Sequence, residues 1–257
     1  MYTPHLIAIS VSHYCEKVRW ALRWHGMAYT QENHCPIFHI TANLRQSGQT
    51  MVPVLLTQQG PIKDSTEILR WIDAQPSQAP SLYPEGKAQE ALDWEERFDE
   101  QLGPHTRRWP YFYLLQQPEL TIPLLQNGIP RHEARLLPLM FPLAKVLMSR
   151  SLKITPDSVE RSRQKIDALL QEVGQVLKDG RPFLIGETFS AADLTFASLA
   201  APVLCPPEYS VPFYTPEQAP SAMGDQIQAW RATPAGQHAL RCFQSHYRPG
   251  WQVANPV

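Results

Sequence analysis

The residues best equipped for chemistry gather near the start of the chain, in Ser10-Val11-Ser12-His13-Tyr14-Cys15. An apolar run, Leu6–Ile9, precedes them and has the length of a buried strand. A helical pattern follows at once, with Cys15, Val18, Ala21 and Leu22 on one face. Ser12 therefore stands where a helix presents unpaired N–H groups and the positive end of its dipole. Such a place suits an anion, and a thiolate is one. On this stretch alone Ser12 is most simply a helix N-cap, a role that Ser favours. Cys15 reads as a small apolar residue packed between helix and sheet, or else as a redox-active thiol. Tyr14 is a second hydroxyl donor and Ser10 a weaker one.

Two later stretches add to this. Met51-Val52-Pro53-Val54-Leu55-Leu56-Thr57 reads as a strand. Its proline lies near the start, where loss of a ladder donor is tolerated, and makes Val52–Pro53 a candidate cis bond. Asp64-Ser65 opens a helix with Ile68, Leu69 and Ile72 on one face; on the simplest reading Ser65 caps it.

These residues need elements to hold them. The first helix runs to about Trp24, with Gly26 as its stop. Ala28–Asn33 is a weak strand, and Pro36–Gly48 is irregular with a short helix at most. Gln58-Gln59-Gly60 turns the chain into a short return strand, Pro61–Lys63. The order strand–helix–strand–helix–strand–strand–helix, within about 75 residues, predicts a small mixed sheet covered by helices. Gln75–Gly86, rich in Pro, Ser and Gly, is the best linker. We divide the chain into a domain at 1–76, a linker at 77–86 and a helical domain at 87–257. In the latter, Lys87–Leu102, Thr155–Lys178, a segment after Phe189 ending before Pro202, Pro216–Arg231 and Pro234–Tyr247 read as helices. Ser190 and Asp193 have capping-box spacing, with Phe189 and Leu194 as a hydrophobic staple.

Composition narrows the function classes. At 257 residues, 43% apolar and a formal charge of −1, the chain has no basic excess that would suggest nucleic-acid binding; Arg107-Arg108 is only a doublet. The four cysteines lie far apart, without CxxC or metal-ligand spacing, so no metal and no disulfide framework is expected, and a reducing, cytoplasmic setting is the simplest reading. No signal peptide is expected from the first residues. The stretch Leu136–Met148 is too short to span a bilayer and reads as a buried or site-lining helix.

In their order these features resemble the cytosolic glutathione transferase superfamily. Ser12-His13-Tyr14-Cys15-Glu16-Lys17-Val18-Arg19 is similar to its active-site turn, Thr50-Met51-Val52-Pro53-Val54-Leu55 to its cis-proline strand, and Asp64-Ser65 to the pair before its third helix. Leu82-Tyr83-Pro84 is similar to its interdomain linker and Ser190-Ala191-Ala192-Asp193 to the cap of its core helix. The resemblance implies an α/β thioredoxin-like N-terminal domain followed by an all-α helical domain, with glutathione as co-substrate and a homodimer as the assembly, its contacts near 65–75 and 87–102. Ser12, or its neighbour Tyr14, would stabilise the glutathione thiolate, which titrates near 8.5 when free. Val52, beside Pro53, would pair with the cysteinyl backbone as an extended peptide pairs with a sheet edge. Ser65 and the N–H groups beside it would take the glutamyl carboxylate; Asp64, or another carboxylate, would meet the ammonium. Gln49 or Arg45 would reach the glycyl carboxylate.

The activity so implied is attack of the thiolate on a small apolar electrophile, with peroxide reduction as a related activity. Two other readings stand beside it: a binding or scaffold protein without turnover, and a thiol oxidoreductase or isomerase using Cys15. The resemblance is poor at 104–154, which is either an elaborated wall of the second substrate's pocket or an insertion packed for stability.

Overall fold

The computed structural model describes residues 2–247; the first residue of the expected first domain and the last ten of the second, 248–257, lie outside the described residues. The chain opens as β1 (His5–Ile9), α1 (His13–Trp24), β2 (Thr30–His34), α2 (His39–Ser47), β3 (Val54–Thr57), β4 (Gly60–Ile62) and α3 (Ser65–Asp73). This is the order expected from the sequence. The sheet order is β2-β1-β3-β4. β1 and β2 run parallel with Leu6 opposite Gln31, whereas β3 is antiparallel to both β1 and β4. Leu6, Ile7 and Ala8 are all fully buried, so β1 is covered on both faces, as a central strand with helices above and below must be. Gly26 ends α1's turn at φ 65°, the left-handed conformation that glycine adopts without a Cβ penalty.

Helices make up the rest: α4 (Ala88–Gln101), α5 (Gly103–Leu114), α6 (Pro118–Gln126), α7 (Arg131–Ser151), α8 (Pro156–Val176), α9 (Ala191–Leu204), α10 (Ser221–Arg231) and α11 (Pro234–His246). All residues of α9 are buried. It packs on α4, α5, α10 and α11, and on α1 of the first domain, so it is the axis of the helical layer. Asp193 fixes its start: Oδ2 accepts from the Ser190 N–H at 3.2 Å and Oδ1 from the Leu184 N–H at 2.8 Å. His238 Nε2 also donates to Oδ1, at 2.9 Å.

Two boundaries differ from expectation, the first being β3, which begins at Val54 and not at Met51, Pro53 having no N–H to give to the ladder. The helix expected to stop before Pro202 continues through it to Leu204 and ends where Cys205 takes φ 48°. Proline removes one i→i−4 bond, but apolar burial on every side of α9 outweighs that loss. The Leu136–Met148 stretch lies in α7 and is divided: Leu137, Phe141, Ala144 and Met148 are buried, while Leu139 is 80% exposed and Leu143 55% exposed. Among the described residues no helix is long and apolar enough to cross a membrane.

Candidate functional site

A cleft of about 940 Å³ runs between the two domains. One wall is the turn after β1, the loop before β3 and the start of α3; the other is α5 and the end of α7. Ser12, Gln49, Val52, Pro53, Asp64 and Ser65 all line it.

Ser12 is the N-cap of α1 and is partly buried. Its Oγ accepts from the Cys15 N–H at 3.4 Å. A hydroxyl that accepts from the helix still has its own proton to give, so capping leaves a donor at the positive end of α1. The turn itself is clamped from behind. Buried Arg19 donates to the carbonyls of Ile9 (3.0 Å) and Ser10 (3.1 Å), and pairs with buried Glu16 at 2.9 Å. The Tyr209 hydroxyl donates to the Val11 carbonyl at 3.2 Å. Ser12 is therefore presented by fixed backbone.

His13 and Tyr14 tie the same turn to the junction of α4 and α5. His13 is buried, and its Nε2–H donates to the Gly103 carbonyl at 3.0 Å. Burial, with Arg107 nearby, pushes its pKa down to about 3, so the ring is neutral. The Tyr14 hydroxyl donates to the Asp99 carbonyl at 2.7 Å, and burial together with the Asp99 charge pushes its pKa up. Its proton is thus committed to a carbonyl, whereas Ser12 keeps its own. Gly103 is needed at this contact: a Cβ there would meet the Tyr14 hydroxyl and lie 2.6 Å from Cζ of the ring. Cys15 is fully buried, and burial pushes its thiol pKa up, which is the packing arrangement.

The Val52–Pro53 bond is cis. Val52 lies just before β3, outside its ladder. Gln49 lines the cleft but spends its amide Nε2–H₂ on the carbonyls of Met51 (3.2 Å) and Lys63 (3.3 Å). It braces the loop before β3 against the one before α3, and the cation at this end is Lys63, not Arg45. The cap of α3 is Asp64, where the sequence reading had Ser65: Asp64 Oδ1 accepts from the N–H groups of Thr66 (2.9 Å) and Glu67 (3.1 Å). A carboxylate accepts two such bonds better than a hydroxyl can. Ser65, one residue on, keeps its backbone N–H and its Oγ at the helix start.

Behind Ser65 lies a buried charge cluster. Lys17 Nζ is 2.7 Å from Glu95 and 2.6 Å from Asp99 Oδ2, and donates to Thr66 Oγ1 (3.3 Å) and Ser65 Oγ (3.5 Å). Burial acts to lower the lysine pKa, and the two carboxylates overcome it, leaving it raised. Asp99 lines the cleft, and its Oδ1 is buried without a hydrogen-bond partner among the described residues. An ammonium group entering beside Ser65 would satisfy that oxygen. Sequence reasoning passed over Lys17 and Asp99. The available signal was Glu95 and Asp99 at i, i+4 on α4, next to the buried Phe98.

The opposite wall is largely apolar. Arg107, Pro110, Tyr111 and Leu114 form one stripe of α5 (i, i+3, i+4, i+7), faced by Leu147 and Met148 of α7. The 104–154 region is thus a wall of the cleft. It is also anchored to the first domain: Glu133, in the first turn of α7, accepts from His34 Nδ1 at 2.6 Å and from the Cys35 N–H at 2.8 Å. His34 Nε2 meets Glu32 at 2.9 Å. Burial opposes its charge, but Glu133 and Glu32 outweigh that and raise its pKa.

Residues 6–80 match the family model described as glutathione S-transferase, N-terminal domain, and residues 156–203 the one described as glutathione S-transferase, C-terminal domain. No curated protein matches the sequence significantly. Among solved structures, the chain is similar to a beta-etherase from Sphingobium sp. (18% identity, 93% of this chain and 99% of that one, TM-score 0.59). It is also similar to a possible glutathione S-transferase from Rhodopseudomonas palustris (18% identity, 97% and 89%, TM-score 0.58). A third is a glutathione S-transferase bound with lactoylglutathione (17% identity, 93% and 99%, TM-score 0.55). At these identities the structures speak for the fold.

Proposed function

We propose that this chain, which belongs to the glutathione transferase superfamily, binds glutathione along its first domain and aims the thiolate at a small apolar electrophile on the helical wall. One observation supports this above the rest. Ser12 at the start of α1 and Ser65 at the start of α3 line the same cleft as Val52, opposite an apolar wall. Two helix N-termini suit the two anionic ends of the reacting part of a tripeptide, the thiolate and the glutamyl carboxylate. In this reading Asp99 Oδ1, which lacks a partner among the described residues, takes the glutamyl ammonium, and Lys63 takes the glycyl carboxylate. The Ser12 hydroxyl donates to sulfur and favours the charged form. The thiolate forms a bond to the electrophilic carbon, and the leaving group departs with its electron pair. Reduction of a peroxide by the same thiolate, a homodimer with contacts on α3 and α4, and residence in the cytoplasm complete the reading.

The test is steady-state conjugation by wild type and Ser12→Ala, with the thiol pKa of bound glutathione followed by thiolate absorbance. Lowering a thiol from about 8.5 to about 6.5 raises the thiolate fraction at pH 7 roughly 25-fold. Loss of Ser12 should return most of that factor as lost rate and a raised thiol pKa. An unchanged rate and pKa would remove Ser12 from the role.

A further inference from the structure

The doublet Arg107-Arg108 is split by the fold. Arg108 is fully employed: its Nε–H donates to the Leu152 carbonyl at 2.7 Å and its Nη1 to Ser162 Oγ at 3.1 Å. Arg107, one residue earlier, points the other way and lines the cleft. It makes no hydrogen bond or ion pair among the described residues, and its Nε–H is buried without a partner. A guanidinium carries five donors and stays charged at any accessible pH. Leaving one unanswered in an apolar recess is costly unless something fills it.

Its surroundings state what that something is. On its own helix face lie Pro110, Tyr111 and Leu114, and across the cleft Leu147 and Met148, none of which accepts a charge-assisted bond with its side chain except the Tyr111 oxygen. His13, nearby, is neutral and already donates to Gly103. Asp99 and Glu100 line the same cleft, yet neither pairs with Arg107: Asp99 Oδ2 is bound to Lys17 and Thr66, and no ion pair joins Glu100 to the guanidinium. Lys63 is the other lysine or arginine of the lining, and it stands on the glutathione side. The electrophile side is therefore an apolar slot with a single uncompensated, fork-shaped cation.

We infer that Arg107 is a specificity-determining residue which makes the second substrate of this site an anionic electrophile, an apolar or aromatic body bearing a carboxylate or a similar planar oxyanion. The inference rests on the transferase reading above. The anion takes no part in bond making; a bidentate pairing with the guanidinium holds the substrate by its far end and so orients the reactive carbon toward sulfur.

A matched pair of substrates tests this: 4-(chloromethyl)benzoate and its methyl ester. In both, a C–S bond forms, the C–Cl bond breaks and chloride leaves with the electron pair; the ester replaces the charge by a methyl group, a difference that is the same for wild type and variant. The acid-to-ester ratio of kcat/KM should fall about 10- to 100-fold in Arg107→Gln, the worth of a hydrogen-bonded charge, and recover in part in Arg107→Lys. A ratio that does not move while both substrates are turned over overturns the inference. So does a parallel fall for acid and ester with a raised thiol pKa of bound glutathione, since Arg107 would then serve the thiolate. Calorimetric titration of the wild type with 4-methylbenzoate and with 4-methylbenzamide needs neither turnover nor a folded variant: preference for the anion supports the site, and equal or absent binding overturns it. Absent conjugation with intact preference for 4-methylbenzoate would sink the transferase reading and leave the anion site standing.

Discussion

Replacing Gly103 by Ala sets two effects of opposite sign against each other at the joint that carries the active turn. Gly103 opens α5, at an ordinary helical backbone with no positive φ. Propensity alone makes Ala the better residue there, by at most ~1 kcal/mol and less in a first turn. The added methyl, however, would collide with the Tyr14 hydroxyl and lie 2.6 Å from Cζ and 3.2 Å from Cε2. Normal contact demands that the ring retreat by about 1 Å. The ring is boxed in by His13, whose centroid is 4.6 Å away, and by its own bond to the Asp99 carbonyl. Overpacking of this kind costs ~1–3 kcal/mol, and loss of the hydrogen bond ~0.5–1.5 kcal/mol. The net should be a destabilisation of about 1–3 kcal/mol, read from chemical denaturation as a lower midpoint at unchanged slope. Because His13 and Tyr14 follow Ser12 directly, turnover should fall with it. The decisive control is the Tyr14→Ala background, where the collision is gone and Gly103→Ala should be neutral or stabilising. Gly103→Ala that is harmless in the wild type, or equally harmful without the Tyr14 ring, would refute the account of this joint.

The remaining predictions concern buried chemistry. All four thiols are buried, with pKa values pushed up by burial, those of Cys35 and Cys205 to about 12. A disulfide reagent at pH 8 should therefore find no fast thiol in the native protein and four after denaturation; a fast reaction mapped to Cys15 would revive redox chemistry there. Lys17→Met should cost about 3–5 kcal/mol, because it strands Glu95 and Asp99. At ~2–4 °C per kcal/mol for a chain of this size, calorimetry should show a clear fall in Tm, partly restored by adding Asp99→Asn; a loss under ~1 kcal/mol would contradict the cluster. His34 has a raised folded pKa. Its contribution is complete below its unfolded value of about 6.5 and fades as pH rises through the folded one. The Tm advantage of wild type over His34→Gln should shrink above pH ~6.5, and an advantage that grows instead would show the sign to be wrong.

Much of the fold was legible because its signals are local. Apolar runs of strand length, Gly26 and Gly60 at turns, and the Pro-rich 75–86 stretch mark the first domain without reference to anything distant. The reading weakened where local and tertiary preferences disagree. α2 is expected only as a short helix in an irregular stretch, and its cap position, Phe38, has no side-chain acceptor to mark its start. Pro202 is a local stop signal for α9, whereas the burial that carries the helix onward is supplied by neighbouring helices. The site divides in the same way. Ser12 and Asp64-Ser65 are helix starts, visible in a few residues. Asp99 reaches Lys17 across 82 positions and Glu133 reaches His34 across 99, so no window shows them as partners. The doublet Arg107-Arg108 shows the same limit: what distinguishes the two residues is the direction in which α5 turns each.

The attachment of α7 to β2 through Glu133 also gives the cleft a mechanical character. From Glu133 to Met148 the helix advances about 22 Å. It is a beam pinned to the sheet at Glu133 and to α5 where Arg108 holds the Leu152 carbonyl, with the jaw that faces Arg107 beside that second support. With the Arg108–Leu152 bond given up, a rotation of about 5° at the Glu133 end would swing the jaw by ~2 Å, estimated from that length. The position of this wall thus depends on a carboxylate that lies outside the cleft lining. Sequence change around His34 and Glu133 would resize the opening by moving Leu147 and Met148, with every lining residue type unchanged.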